Sequence, residues 1–365
     1  MAAVVPYALG EAPGQRTRIE LWAGYLEKAG WAVDFHPFED AALHEILYTP
    51  GLSPAKAARL LACYRRHLLL AVKGVRCDLL YVYREASLVG PALTERLLHR
   101  QAVPLVYDLD DPIFLPYRSP ANGWMSLMKF HRKTHALFRM SDRVIAINRL
   151  IGDYAARYNP SVSVIPICVD TERNRPLPAP AADEPVRVAW SGSFSTVANL
   201  ATIAGPLRRL QAETAARMRV VSSDAVQLDG VDVEFRKWSA DGEMDSLADC
   251  HIGVVPLADR AWNRWKFNYK TVQYMAVGLP VVASRMGSNV EIVVDGVNGY
   301  LVDTEEEWFD RLRTLASDTG LRRRMGAAAR ATVVEHYSLK TQMPRMVSIF
   351  DDVLARHATA ATDAT

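Results

Sequence analysis

From residue 270 the chain reads Lys270-Thr-Val-Gln-Tyr-Met-Ala-Val-Gly278-Leu-Pro280-Val-Val-Ala-Ser284. The apolar spacing before Gly278 predicts a helix, glycine and proline end it, and the apolar run after Pro280 predicts a short buried strand. A helix that hands over within two residues to a buried strand is one step of an α/β layer, and the same step recurs along the chain. In the first half, strands are expected at 31–35, 79–83, 104–108, 143–147 and 162–166, with helices at 18–30, 53–72, 90–99, 126–140 and 151–157. In the second half, strands are expected at 187–190, 218–221, 231–235, 252–255, 281–283 and 299–302. The helices there are 199–214, 244–248, 270–277, 305–316, 321–334 and 342–357, with a frayed tail over 358–365. Strands separated by helices imply mostly parallel sheets covered on both faces.

At 365 residues the chain is too long for one ordinary core and about right for two. Prolines at 176, 178, 180 and 185 mark a linker over 173–185 between a first domain, 1–172, and a second, 186–340, with 341–365 as a final crossing segment and tail. Two open α/β units imply a cleft lined by the carboxyl ends of their strands. The formal net charge of +2 gives no support for nucleic-acid binding. Cys63, Cys77, Cys168 and Cys250 lack metal-ligand spacing and fit a reduced compartment. Residues 1–6 are too short and uncharged for a secretory leader, and no run approaches the roughly 20 apolar residues of a membrane span.

Candidate ligand-facing groups cluster at the expected strand ends. In the first domain, Gly14 and Arg16 sit in a loop running into a helix, without the glycine spacing of a dinucleotide fingerprint or P-loop. Arg84 and Glu85 follow a strand and read either as ligand groups or as a surface ion pair with each other. Asp108, Asp110 and Asp111 crowd three carboxylates at another strand end, which is costly unless something offsets the repulsion. A base, a sugar-hydroxyl binder, a metal site and simple turn caps all fit them, with Asp110 and Asp111 the leading pair. His131 and His135 are four apart but lack an HExxH pattern and read as one helix face. In the second domain, the small residues Ser191, Gly192 and Ser193 would let a phosphate approach backbone N–H groups. Lys266 and Lys270, four apart, read as one helical turn of cations with Arg264 and Asn263 beside them, suited to neutralising a diphosphate. The loop Gly287-Ser288-Asn289-Val290-Glu291 follows the next strand.

The stretch from Gln273 to Ser284, then Gly287 to Glu291, then Asp295-Gly-Val-Asn-Gly-Tyr-Leu-Val302, resembles the second domain of retaining GT-B glycosyltransferases of the family 4-like group. The likeness extends over most of the chain, loosely in the first domain. The resemblance implies two Rossmann-like domains facing each other across a cleft. It further implies an enzyme moving a sugar from a nucleoside diphosphate sugar to a hydroxyl acceptor with retained configuration, in bacterial carbohydrate or natural-product biosynthesis. The nucleotide sugar would be a co-substrate, with no metal and no other cofactor. The family often carries two glutamates eight apart here. This chain has Trp265 and Gln273 at those positions, so Gln273 would bond the donor ribose. Lys266 and Lys270, with Arg264 and Ser193, would take the diphosphate. Glu291 or its loop would position the sugar, and Arg16 would face the phosphates on closure. Asp110 or Asp111 would hold acceptor hydroxyls, with Arg84, Glu85 and Asp108 beside them.

The acceptor classes left open are a saccharide, a lipid-linked sugar and a small natural product. A cytoplasmic location follows, with Arg65, Arg66, Lys129, Arg132 and Lys133 able to meet the inner face of a membrane. A nucleotide-sugar isomerase or epimerase on the same fold, and a non-catalytic sugar or nucleotide-sugar binding subunit, are the alternatives.

Overall fold

The computed structural model describes residues 1–363 except 50, 52, 117–127, 177–183, 194–195, 240–241, 243–244 and 248. The chain divides into two compact units, Met1–Ile167 with Gln342–Thr365, and Cys168–Thr341. Most of the expected linker and parts of the helices expected at 126–140 and 244–248 lie outside the described residues; within 245–247 there is a single tight helical turn.

The first unit carries six strands, β1 (Ala2–Val5), β2 (Asp34–Pro37), β3 (Leu80–Tyr83), β4 (Leu105–Leu109), β5 (Arg143–Ala146) and β6 (Val162–Val164). They form one sheet in the order β2-β1-β3-β4-β5-β6, with every pairing parallel. β1, β3 and β4 are buried at every residue, as befits central strands covered on both faces. β1 was not anticipated: four small residues before a proline carry no alternation to distinguish them from a loop. The helix Ala41–Leu47 was also missed, although Asp40 caps it by accepting the Leu43 N–H at 2.8 Å. The segment predicted as a strand at 31–35 pairs three residues later, over Asp34–Pro37. The long helix Ser53–Lys73 packs onto the unit through Leu60 and Cys63, which meet Phe38, Leu43 and Leu47.

The second unit repeats the plan with β7 (Arg187–Ser191), β8 (Arg217–Ser222), β9 (Val233–Lys237), β10 (Ile252–Val255), β11 (Val281–Ser284) and β12 (Gly299–Val302). The order is β12-β11-β10-β7-β8-β9, again all parallel. Val188, Trp190, Met218, Val220, Ile252 and Val254 form the centre of its core. Within this unit Arg330 donates to the carbonyls of Thr171 and Asn174 at 2.7 and 2.6 Å and to Ala276 at 2.5 Å. It thereby ties the entering chain to the end of the helix Tyr269–Ala276. The last helix runs unbroken over Leu339–Asp363, so residues 358–363 are helical rather than frayed.

Inside the first unit, Arg18 is wholly buried and pairs with Asp108 on β4 at 2.7 Å. The same guanidinium donates to the Ile165 carbonyl at 2.9 Å and lies 4.7 Å from the centre of the Trp22 ring. Tyr81 on β3 also donates to Asp108. One cation thus joins the helical segment after β1 to β4 and to the chain leaving β6. Removing one partner leaves a buried charge without its counterion, at a cost of about 3–5 kcal/mol. Arg18→Leu is therefore expected to lower unfolding stability by about that much in urea titration; a loss below 1 kcal/mol would show the pair to be dispensable.

Candidate functional site

In the second unit, the candidate site lies where β7 ends. Trp190 is buried, and the Lys270 ammonium sits 4.3 Å from the centre of its ring, a cation–π contact. Lys270 also donates to Thr196 Oγ1 at 3.3 Å. Gly192 lies beneath that ammonium. A Cβ there would collide with Lys270 Nζ and come within 2.6 Å of both Thr196 Oγ1 and the Trp190 ring. A side chain at this position would have to displace the lysine amine and press on the edge of the buried indole.

Two of the backbone donors expected to meet a phosphate are already engaged. The Ser191 N–H donates to Tyr274 Oη at 2.7 Å, and the Gly192 N–H donates to the Val221 carbonyl at 2.9 Å. Tyr274 reaches Ser191 because Gly253 on β10 has no side chain: a Cβ there would collide with the Tyr274 ring. Ser193 is exposed beyond the strand end.

Lys266 and Lys270 do not share a helical turn. The helix Ala261–Trp265 stops at Lys266, whose backbone is extended, and a second helix starts at Tyr269. The break is held from the neighbouring loop: the Asn268 N–H donates to Ser288 Oγ at 2.7 Å, and the Ser288 N–H donates to the Lys266 carbonyl at 3.3 Å. Gly287, at φ +58°, packs onto the carbonyls of Asn263 and Lys266. Asn289 is buried, accepting from Thr271 Oγ1 at 2.8 Å and donating to the Ser284 carbonyl at 3.0 Å. Gly287, Ser288 and Asn289 thus shape the break, while Glu291 is exposed beside them. Lys266 is half-buried, and among the described residues its ammonium has no carboxylate partner. Asn268 Nδ2 is buried with no acceptor among the described residues, an unmet donor at the same break. Arg264 forms a surface pair with Asp259 at 2.7 Å, Asn263 donates to the Ala258 carbonyl at 2.8 Å, and Gln273 is buried on its helix.

In the first unit, the expected carboxylates are offset by arginines that the sequence did not pair with them. Arg84, held at φ +56° just past β3, bonds Asp110 through two nitrogens and also reaches Asp111. Such a backbone in a residue other than glycine costs about 1 kcal/mol or more, and here the paired carboxylates hold it. Gly14 lies against this cluster, Tyr83 donates to Asp110, and Arg84 donates to Tyr7 Oη at 3.2 Å. Burial opposes the charge on Asp110, but Arg84, the Tyr83 hydroxyl and Arg18 outweigh it and hold the carboxyl below its usual range. Asp108, expected among acceptor-binding groups, lies instead beneath the strand end, wholly buried between Arg18 and Tyr81.

Glu85 does not pair with Arg84; it is buried 2.6 Å from Lys133. Arg16 is half-buried at the start of its segment. Tyr7, Glu39 and His44 were missed: Glu39 is buried and meets His44 Nδ1 at 2.9 Å. Their one signal is position, since Tyr7 and Glu39 each stand two residues past a strand. His131 contacts the Ile113 carbonyl at 3.0 Å and His135 the Tyr154 hydroxyl at 2.8 Å, separate structural roles. Among the described residues no three His, Cys, Asp or Glu side chains converge as a metal-ligand set.

The Glu85–Lys133 pair carries a pH signature. Burial raises the Glu85 pKa, but Lys133 and Lys129, with a smaller pull from Arg84, bring it below the ordinary value. A lowered folded value means stability that is present above the unfolded carboxyl value, about 4.3, and lost as pH falls through the folded one. Glu85→Gln is expected to cost about 3 kcal/mol at pH 7, with the gap to wild type narrowing below about pH 4. Thermal melts from pH 7 to 3 measure this, and a gap independent of pH would show that Glu85 is not ionised.

Comparison with known proteins bears on the second unit and on the fold. Residues 186–318 match the family model of the group 1 glycosyl transferases. D-inositol 3-phosphate glycosyltransferase of Xylanimonas cellulosilytica is 42% identical over 91 residues, which is 24% of this chain and 22% of that protein. Spore coat protein SA of Bacillus subtilis is 26% identical over 94 residues, 24% of this chain and 25% of that one. The chain thus spans about a quarter of the length of these curated relatives. Sucrose-phosphate synthase from Thermosynechococcus elongatus superposes with a TM-score of 0.70 at 15% identity, covering 97% of this chain and 99% of that one. HepE of Anabaena, solved with UDP and glucose, gives 0.63 at 17%, covering 96% and 99%. At such identities the likeness establishes the fold. The chain therefore has the GT-B fold of two Rossmann-like units, and through its second unit it is related to the group 1 glycosyl transferases.

Proposed function

We propose that the protein transfers a sugar from a nucleoside diphosphate sugar to a hydroxyl acceptor, with retention of anomeric configuration. The observation that carries the reading is the Lys270 ammonium, held over Trp190 at the end of β7 and packed against Gly192. A cation placed in advance stabilises the charge that builds on a departing diphosphate without reorganising in the reaction. Lys266 and the unmet Asn268 amide at the nearby break supply further donors for the phosphates or the sugar. Gln273 is assigned to the ribose, and Glu291 to the sugar. HepE was solved with UDP-glucose, which supports a uridine nucleotide as the first donor to try. In the first unit, the Arg84-Asp110-Asp111 cluster at the end of β3 and β4 is assigned to acceptor hydroxyls, with Asp111 its more exposed carboxylate. A front-side displacement of this kind requires no enzymic nucleophile and no metal. A cytoplasmic location and peripheral contact with a membrane face belong to the same reading; no described helix is long and apolar enough to cross a bilayer.

Screening a panel of nucleoside diphosphate sugars by thermal shift tests the donor site, because a bound donor stabilises the folded state by mass action. Lys270→Met and Lys266→Ala are each expected to lower kcat/KM for the donor found by roughly tenfold or more, the scale of one lost charged contact in the transition state. Unchanged kinetics in both would move the diphosphate elsewhere. Donor binding without any transfer to a panel of saccharide, lipid-linked and small-molecule acceptors would favour a binding subunit.

A further inference from the structure

The helix Ser53–Lys73 has two apolar faces, and only one is used by the fold. At 3.6 residues per turn, Lys56, Leu60, Cys63, His67 and Ala71 share one arc, and all five are buried. The opposite arc carries Ala58, Leu61, Arg65, Leu69 and Val72, within about 80° of one another. These are exposed, with Leu61 at 61%, Leu69 at 54% and Val72 at 65%. An amphipathic helix at a protein surface normally turns polar residues outward. Here the outward stripe from Leu61 to Val72 is mainly apolar over about 16 Å.

Charge identifies what such a stripe meets. The 21 residues of the helix contain Lys56, Arg59, Arg65, Arg66 and Lys73 and no Asp or Glu. Lys73, Arg66 and Arg59 border the stripe along one side. Arg66 donates to the Pro37 and Phe38 carbonyls, and Arg59 and Arg66 both stand 3.8 Å from Asp40. Arg65 and Lys73, both exposed, have no carboxylate partner among the described residues. Lys133, expected from sequence to share a membrane-facing group with Arg65 and Arg66, is buried against Glu85 and takes no part.

We propose that this face docks on the surface of a bilayer containing anionic phospholipid, with Leu61, Leu69 and Val72 entering the headgroup region and Arg65 and Lys73 meeting lipid phosphates. Exposed apolar side chains bordered by cations and free of carboxylates on the same helix are the pattern of an interfacial helix. Each such cation near an anionic surface contributes roughly fivefold in binding, and the apolar stripe adds contact that salt does not screen. The inference deepens the membrane contact in the functional reading, and its test needs no donor, so failure of docking and failure of sugar transfer are told apart.

Sedimentation of the full chain with phosphatidylcholine vesicles, with and without phosphatidylglycerol, is the experiment. Binding is expected to the anionic vesicles only, and to weaken in high salt. Arg65→Glu with Lys73→Glu, and separately Leu61→Ser with Leu69→Ser and Val72→Ser, are each expected to reduce binding by at least about tenfold, with melting temperature unchanged. Wild-type protein that ignores anionic vesicles overturns the proposal, as do variants that bind like wild type. Sedimentation equilibrium showing a dimer that the serine variant dissociates would assign the face to a second copy instead, and would also overturn it.

Discussion

A buried ion pair organises the first unit. Arg18 and Asp108 lie 90 positions apart in sequence, and both are inaccessible to solvent. Their burial makes sense only if the segment after β1, the end of β4 and the chain leaving β6 are all in place, since each supplies part of the coordination. The exposed end of the same edge is built from this base. Asp110 and Asp111 follow Asp108 after one leucine, and Arg84 is held past β3 by their charge. The carboxylate crowding that looked costly in the sequence is therefore offset by two arginines, one below the strand ends and one at them.

The second unit solves its electrostatics differently. A lysine is placed over an indole, and its neighbour on the strand end is reduced to a hydrogen atom to make room. The peptide donors of Ser191 and Gly192 at this edge are committed to Tyr274 and to the adjacent strand. An anion bound here would not be met by those two peptides and would draw on the side-chain cation of Lys270. That is a different chemistry from the glycine-rich phosphate loops, which rely on peptide N–H groups.

The alternation of elements was legible because buried parallel strands are continuous apolar runs and helices have a period of their own. The run from Gly299 to Val302 falls on β12, and that from Ile252 to Val255 on β10, without adjustment. Legibility failed where local sequence is silent about tertiary partners. The lysines at 266 and 270 have helical spacing, but Ser288, twenty positions away, captures the Asn268 N–H and separates them. Glu85 stands next to Arg84 in sequence, yet the chain reverses between them and sends one to Lys133 and the other to Asp110. Lys270 is marked as a candidate by its cationic spacing, and Arg84 by its position past a strand. Position at a strand end could not tell which neighbours lie under the edge and which lie on it, because Asp108 and Asp110 differ by only one step of the pleat.

Tyr274 crosses the middle of β10 to reach the end of β7, and it can do so only over a residue with no side chain. The geometry at the end of β7 is thus partly dictated from the centre of the sheet, one strand away from the proposed donor site. A single methyl group introduced at residue 253 would act as a remote lever: it would push the phenol, free the Ser191 amide and loosen the seat of Lys270 while leaving every ligand-facing side chain chemically intact.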